Sequence, residues 1–360
     1  MRLGFTLGKT LLGSLLIATT GVSAGENPHS PDKHITELHN LDWLSTVAFA
    51  AHQTEYSGVF IYQYDNQVET SRITHVVEMD SEYVRLESLD GPKREIIRHN
   101  GQVWCYIGKK MEQVDSRQGY SRFPALLPEQ LSALGANYRL NEAGVERVAE
   151  HNAQIILLQP KDNLRYTHKI WVHTDSGLLL KAAVLGDKNQ LVEQYAFTQL
   201  QIGGEIERSW IRAIATSAHS GSSVTKSGSL LAGESDVSLS RMDSASPDIV
   251  AHSGQDTTAG IINSGWMVAA LPVGFKKTRE IQRLMRGKHA PVTQLVFSDG
   301  LSAISVFIEP ADGDEGNVAG LSSRGAMNLY RKVIDKNLLT VVGEVPPRTV
   351  IQVLDSVRQR

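Results

Sequence analysis

Cysteine is almost absent: Cys105 is the single one in 360 residues. No internal disulfide can form, so the fold must stand on its apolar core. A lone thiol can also serve as a nucleophile. Its place between Trp104 and Tyr106, in a strand-like run, favours the plainer role of a small buried hydrophobe. Strong charge of either sign is missing too. The formal net charge is -3, which excludes the field that nucleic-acid binding needs. Beyond the N-terminus no apolar run is long enough to span a bilayer, and Trp266 to Val273 is interrupted by Pro272. There is no Gly-x-Ser-x-Gly elbow, no P-loop and no dinucleotide fingerprint, so no enzyme activity and no cofactor are expected. Hydrophobic residues make up 41%, enough to bury an ordinary globular core.

What is present begins with a processing signal. Arg2 and Lys9 give a positive start, Leu11 to Ala18 is a short apolar core, and Val22-Ser-Ala24 places small residues at a cleavage position. Residues 1–24 therefore read as a signal peptide. No cysteine stands just after the cleavage position to carry a lipid anchor, so a soluble product beyond the inner membrane, in the periplasm, is expected.

Two folded units follow. Leu38, Leu41, Leu44, Val47 and Ala48 recur at helical spacing, with Gly58 just past the helix end. From Gly58 the period shortens to that of strands. Arg72 to Met79, Glu82 to Leu89, Arg94 to Asn100 and Val103 to Gly108 are separated by Asp80-Ser81, Asp90-Gly91-Pro92 and Asn100-Gly101 turns. Phe123 to Leu134 reads as a helical insertion. Strands resume from Tyr138 to Ile202, making residues 34–214 one α+β unit with a large curved antiparallel sheet. Residues 215–262 are rich in Ser, Gly, Ala, Thr and Asp and read as a flexible linker. Residues 263–360 form a small α+β unit. It has a helix at Thr278 to Met285, a hairpin turn at Ser298-Asp299-Gly300-Leu301, and a strand pair across Asp335-Lys336-Asn337. A helix from Pro346 to Val357 closes the chain.

Several apparent motifs dissolve on inspection. Ser223-Val-Thr-Lys226 and Lys226-Ser-Gly228 would share one lysine, and both fall in the linker. His29, His34, His39 and His52 cluster, but His34 and His39 are five apart where a helical zinc pair needs four. Asp312-Gly-Asp314-Glu-Gly316 has Gly316 and Ser323 where a calcium loop needs acidic ligands. No metal site is expected.

Longer strings carry a resemblance. Tyr56-Ser-Gly-Val-Phe-Ile-Tyr62, Thr74-His-Val-Val77, Arg85-Leu-Glu-Ser-Leu-Asp-Gly-Pro92 and Arg94-Glu-Ile-Ile-Arg98 resemble the first domain of the RseB/MucB family. Leu271-Pro-Val-Gly-Phe275, Phe297-Ser-Asp-Gly-Leu301, Val306-Phe-Ile-Glu-Pro310, Ser323-Arg-Gly-Ala326 and Val341-Val-Gly-Glu-Val-Pro346 resemble its second. The linker is longer and richer in serine than the family pattern. The resemblance implies a LolA/LolB-like half-barrel with covering helices, plus a smaller domain that contacts an anti-sigma factor. It further implies a periplasmic negative regulator of an envelope-stress sigma factor. Such a regulator shields the periplasmic part of a membrane anti-sigma factor of the RseA/MucA type from site-1 proteolysis. Lipopolysaccharide or lipid releases it. Self-association into a homo-oligomer stays open.

Arginine and aromatic residues are favoured interface anchors. With turn and strand-end acids, they select Phe275, Asp299, Glu309, Arg324 and Tyr330 as partner-binding candidates. Phe60, Tyr62, Val77, Leu86 and Trp104 are the lipid-binding candidates. For each residue, ordinary core or turn duty is the alternative. The competing function is a lipid or lipoprotein carrier of LolA/LolB type. The second domain argues against it, because such a carrier needs only the first.

Overall fold

The computed structural model describes residues 44–211 and 263–360, apart from 79–80, 101, 109, 115–122, 129–130, 132–133, 285–289 and 312–319. The expected signal peptide, the 215–262 linker, Ser223 to Gly228, three of the clustered histidines and the Asp312 loop lie outside the described residues.

The first unit opens with helical residues 44–53. Leu44, Val47, Ala48 and Ala51 are all buried, one stripe at three-to-four-residue spacing. Eleven strands follow: β1 Tyr56–Tyr64, β2 Gln67–Glu78, β3 Ser81–Ser88, β4 Arg94–His99, β5 Gln102–Ile107, β6 Lys110–Val114, β7 Tyr138–Val148, β8 His151–Pro160, β9 Thr167–His173, β10 Leu179–Leu185 and β11 Leu191–Ile202. They form one antiparallel sheet in the order β6-β5-β4-β3-β2-β1-β11-β10-β9-β8-β7. The two ends of the meander thus meet in the middle, where β1 pairs with β11. The sheet curls: His151 Nε2, on β8, donates to the Leu200 carbonyl of β11 at 3.1 Å. Two-residue turns work as the composition expects, with Asp65 and Asn100 at φ of 48° and 45°, a conformation Asn and Asp tolerate.

Strand parity decides what each residue touches. Tyr56, Phe60 and Tyr62 on β1 share a face with Ile73 and His75 on β2, Val84 and Leu86 on β3, and Tyr195 and Phe197 on β11. This face carries the main core, closed by the 44–53 helix and by Phe123, Leu127 and Leu131. The opposite face carries a smaller cluster of Val76, Ile97, Ile206, Trp210 and Ile211, with Trp104 packed on it.

The second unit is a six-stranded antiparallel sheet, ordered β13-β14-β15-β18-β17-β16. Its strands are β13 Lys276–Leu284, β14 Pro291–Ser298, β15 Ala303–Pro310, β16 Gly320–Arg324, β17 Met327–Ile334 and β18 Asn337–Gly343. A short ribbon pairs β12 Trp266–Val268 with β19 Val357–Gln359. The helix Pro347–Asp355 starts with proline at its first turn and buries Thr349, Val350, Val353 and Leu354.

Three expectations need correction. Of the expected helix Thr278 to Met285, Thr278 to Leu284 is strand: β13 pairs with β14 over that stretch, and that pairing overrides a short ambiguous apolar pattern. Among the described residues of Phe123 to Leu134, those before Leu134 are turn, bridge and irregular positions, and helix is found at Leu134–Asn137. Pro124 and Pro128 lack the N–H groups a longer helix would use. Gly58 does not stop a helix. It lies inside β1 beside a bulge, where a Cβ would collide with the Gln199 carbonyl and the Phe197 ring. Strands β6 and β16 were not foreseen.

Candidate functional site

The two sheets meet across a polar seam, and three candidates converge there. Asp299 sits in the hairpin turn between β14 and β15. Its Oδ1 accepts the Leu301 and Ser302 backbone N–H groups at 3.0 and 2.8 Å, which fixes the turn. Its Oδ2 is thereby aimed at the first unit, where Arg165 Nε donates to it at 2.5 Å and Tyr138 Oη at 3.3 Å. Arg165 comes from the β8–β9 loop. Its other nitrogens donate to Asp162 and to the Val273 carbonyl, and its guanidinium lies 4.8 Å from the Phe275 ring centroid. Arg165 therefore has a carboxylate from each unit, a carbonyl and an aromatic face as partners, which is how a cation can be buried. Burial, then the Asp299 charge, pushes the Tyr138 hydroxyl well above the ordinary tyrosine range, so it stays a donor.

A second contact uses β1, β2 and β11. Glu193 Oε2 accepts Tyr62 Oη at 2.9 Å and the Ala326 backbone N–H of the second unit at 2.8 Å. Burial raises the Glu193 carboxyl above its ordinary value, and those two hydrogen bonds offset only part of the rise. The neighbouring Gly325 has a φ of +55°, and a Cβ there would press on the Glu193 carboxylate, on Tyr62 Oη and on Tyr64. Arg324 donates to Tyr64 Oη at 2.6 Å and to Glu69 at 3.0 Å, with its guanidinium 4.7 Å from the Tyr64 ring.

A third contact completes the seam. Asn328 Nδ2 donates to Tyr166 Oη at 2.9 Å and to the Val345 carbonyl at 2.8 Å. Thr349 Oγ1 donates to the Leu164 carbonyl at 2.9 Å, and Arg348 pairs with Asp187.

Phe275, Asp299 and Arg324 thus lie at the seam. Glu309, near the end of β15, pairs with Leu338 in the strand register, and Tyr330 packs against the second core. Among the lipid candidates Phe60, Tyr62, Val77 and Leu86 share one face of the large sheet. Trp104 is on the other, because its register partner is Ile97 whereas Cys105 pairs with Ile96 below Leu86. The structure does not bring these five together. Sequence reasoning missed Arg165, Glu193, Tyr138, Tyr166 and Asn328, whose partners lie more than a hundred residues away. Among the described residues no group of His, Cys, Asp and Glu could hold a metal, and no helix is long and apolar enough to cross a membrane.

The comparisons with known proteins fall on both units. The model of the MucB/RseB N-terminal domain matches residues 39–215, and that of the MucB/RseB C-terminal domain matches residues 261–358. The chain is 31% identical over 324 residues to the sigma factor AlgU regulatory protein MucB of Pseudomonas aeruginosa, covering 88% of this chain and 90% of that protein. The Pseudomonas aeruginosa MucA/MucB complex structure is similar at 28% identity and a TM-score of 0.64, over 89% of this chain and 99% of that one. A crystal structure of MucB superposes at 0.56, with the same identity and 89% of this chain covered against 97% of that one. These matches bear out the expected fold, a large antiparallel sheet with few helices beside a separate smaller sheet domain. They also show relatives named as regulators of a sigma factor. The chain belongs to the MucB/RseB family.

Proposed function

We propose that this chain is a periplasmic negative regulator of an envelope-stress sigma factor. It binds the periplasmic part of a membrane anti-sigma factor of the MucA/RseA type, shields that part from site-1 proteolysis, and lets go when lipopolysaccharide or lipid binds. The observation that carries this reading is the relation between the two units. They are fastened by buried hydrogen bonds, and over 89% of its length the chain superposes better on MucB complexed with MucA than on the MucB crystal structure. A segment bound by such a surface is withdrawn from the extended form a protease needs. Phe275, Asp299 and Arg324 act by fixing the domain arrangement, and Glu309 and Tyr330 are the candidates for direct contact. Phe60, Tyr62, Val77 and Leu86 are the candidates for apolar ligand contact.

The test is a cleavage assay. The periplasmic segment of the cognate anti-sigma factor is incubated with its site-1 protease, with and without this chain. Slower cleavage in its presence, restored by lipopolysaccharide, supports the reading. Equal cleavage in all conditions, together with uptake of a lipid or lipoprotein, moves the assignment to a carrier.

A further inference from the structure

Strand β10 carries one charged residue, Lys181, in an otherwise apolar run. It pairs in register with Trp171 of β9, and Lys169 stands two residues before that tryptophan on the same face. This is not the face that carries Tyr62. Trp171 and Lys181 continue through Ala196 to Ile61, whereas Tyr62 continues through Tyr195 and Ala182 to Ile170. The two lysines converge on one ring. Each ammonium lies 4.5 Å from the Trp171 ring centroid, so at most about twice that distance separates them. Their stems help to cover the indole, which is only 4% exposed.

The charges at this spot do not balance. The nearby carboxylate is Glu146 of β7, and its Oε2 accepts the indole Nε1–H at 2.7 Å. Among the described residues neither lysine forms an ion pair. Burial lowers the Lys181 ammonium below its ordinary value, Glu146 opposes that shift and the Lys169 charge adds to it. An ammonium carries three N–H donors, and an aromatic face satisfies only part of that capacity. Two such groups beside one carboxylate leave surplus positive charge and unspent donors together. The complementary ligand is an anion with acceptor oxygens on several sides. Phosphate has both properties, and it takes a charge-assisted hydrogen bond of about 2.8 Å from each ammonium.

We propose that Lys169 and Lys181, gathered over Trp171, form a phosphate-binding site on the face of the large sheet opposite Tyr62. One phosphate oxygen accepts from each ammonium, and the indole beneath keeps the two side chains together. Glu146 is a positioning residue: it fixes the indole through its N–H, and the indole in turn fixes both lysines. The ligand chemistry is a phosphate group, free in solution or carried as a lipid headgroup. No seam residue takes part, so the site stands whatever partner the chain binds.

The test is titration of the full chain with inorganic phosphate at constant ionic strength, with chloride as the matched salt. The indole N–H resonance of Trp171, identified by its loss in Trp171→Phe, reports binding. A second arm measures co-sedimentation with phosphatidic acid vesicles, with phosphatidylcholine vesicles as the neutral control. Saturable displacement of the resonance, or sedimentation specific to phosphatidic acid, is expected. Either response should weaken about tenfold or more in Lys169→Gln and in Lys181→Gln, which remove a charged donor and keep most of the stem. Lys181→Arg keeps the charge and should retain binding, which separates lost charge from lost folding. Displacement by inorganic phosphate identifies a free phosphate site, and a response to phosphatidic acid alone identifies a headgroup site; both support the proposal. No response in either arm, or an equal response in the two Gln variants, overturns it and leaves the lysines as a cover for the indole.

Discussion

Arg165 and Asp299 form an ion pair between the two sheets, at 2.5 Å, with both side chains wholly excluded from solvent. Removing one partner leaves the other charge buried and uncompensated, which costs about 3–5 kcal/mol. Arg165→Ala should therefore lower stability by about that much and let the two units separate. Asp299→Asn should cost less, since the amide oxygen can still hold the Leu301 and Ser302 N–H groups of the turn. Denaturant unfolding of both variants checks the order, and X-ray scattering in solution checks the separation.

Gly325 tests the second contact without replacing a charged residue. Its φ of +55° costs a side-chain-bearing residue about 1–2 kcal/mol, and a Cβ would meet Tyr62 Oη at 3.1 Å and Tyr64 Cβ at 3.2 Å. Gly325→Val should pry Ala326 away from Glu193 and expand the molecule in scattering. An unchanged radius of gyration would show that the seam absorbs the side chain.

The buried Glu193 makes the seam sensitive to pH. Its carboxyl is raised above the ordinary 4.5 by burial, so the joined state binds a proton more readily than the separated one. Its contribution is complete below 4.5 and declines as pH rises through the raised value. Glu193→Gln keeps an acceptor for Ala326 and Tyr62 but cannot ionise. It should flatten this part of the pH profile of urea stability, measured from about pH 4 to about pH 8.

Phe60 and Trp104 lie on opposite faces of one sheet. Phe60 contacts Phe123 at a centroid distance of 5.2 Å and Phe197 at 6.0 Å, so Phe60→Ala should cost about 3–5 kcal/mol and alter binding of a fluorescent acyl probe. Trp104→Ala should leave probe binding unchanged, because Trp104 packs on the opposite-face cluster of Val76, Ile97, Ile206, Trp210 and Ile211. Equal effects of the two changes on probe affinity would argue against a ligand on the core face.

Much of this fold is legible in the sequence because strands and turns leave local marks. Asp65-Asn66, Asn100-Gly101 and Ser298-Asp299-Gly300 each state a reversal, and alternation states the strand between. Face assignment is less secure, because a one-residue error moves a side chain across the sheet, as Trp104 and Cys105 illustrate. The seam is hardly legible. Arg165 reads as one more charged loop residue, and its carboxylate partner from the other unit is 134 positions away. Asp299 and Arg324 stand out as turn and anchor residues, yet nothing local says that they face the chain's own first unit. Gly274 and Gly325 were the available hints, since each turns the backbone through a positive φ where the other unit comes close.

The central claim is that the joined pair of domains binds the periplasmic segment of a MucA-type anti-sigma factor. Calorimetric titration of the full chain with that segment tests it most directly. The account predicts saturable binding by the wild type, weakened at least about tenfold, or about 1.4 kcal/mol, by Arg165→Ala. No heat of binding with the wild-type chain would contradict it.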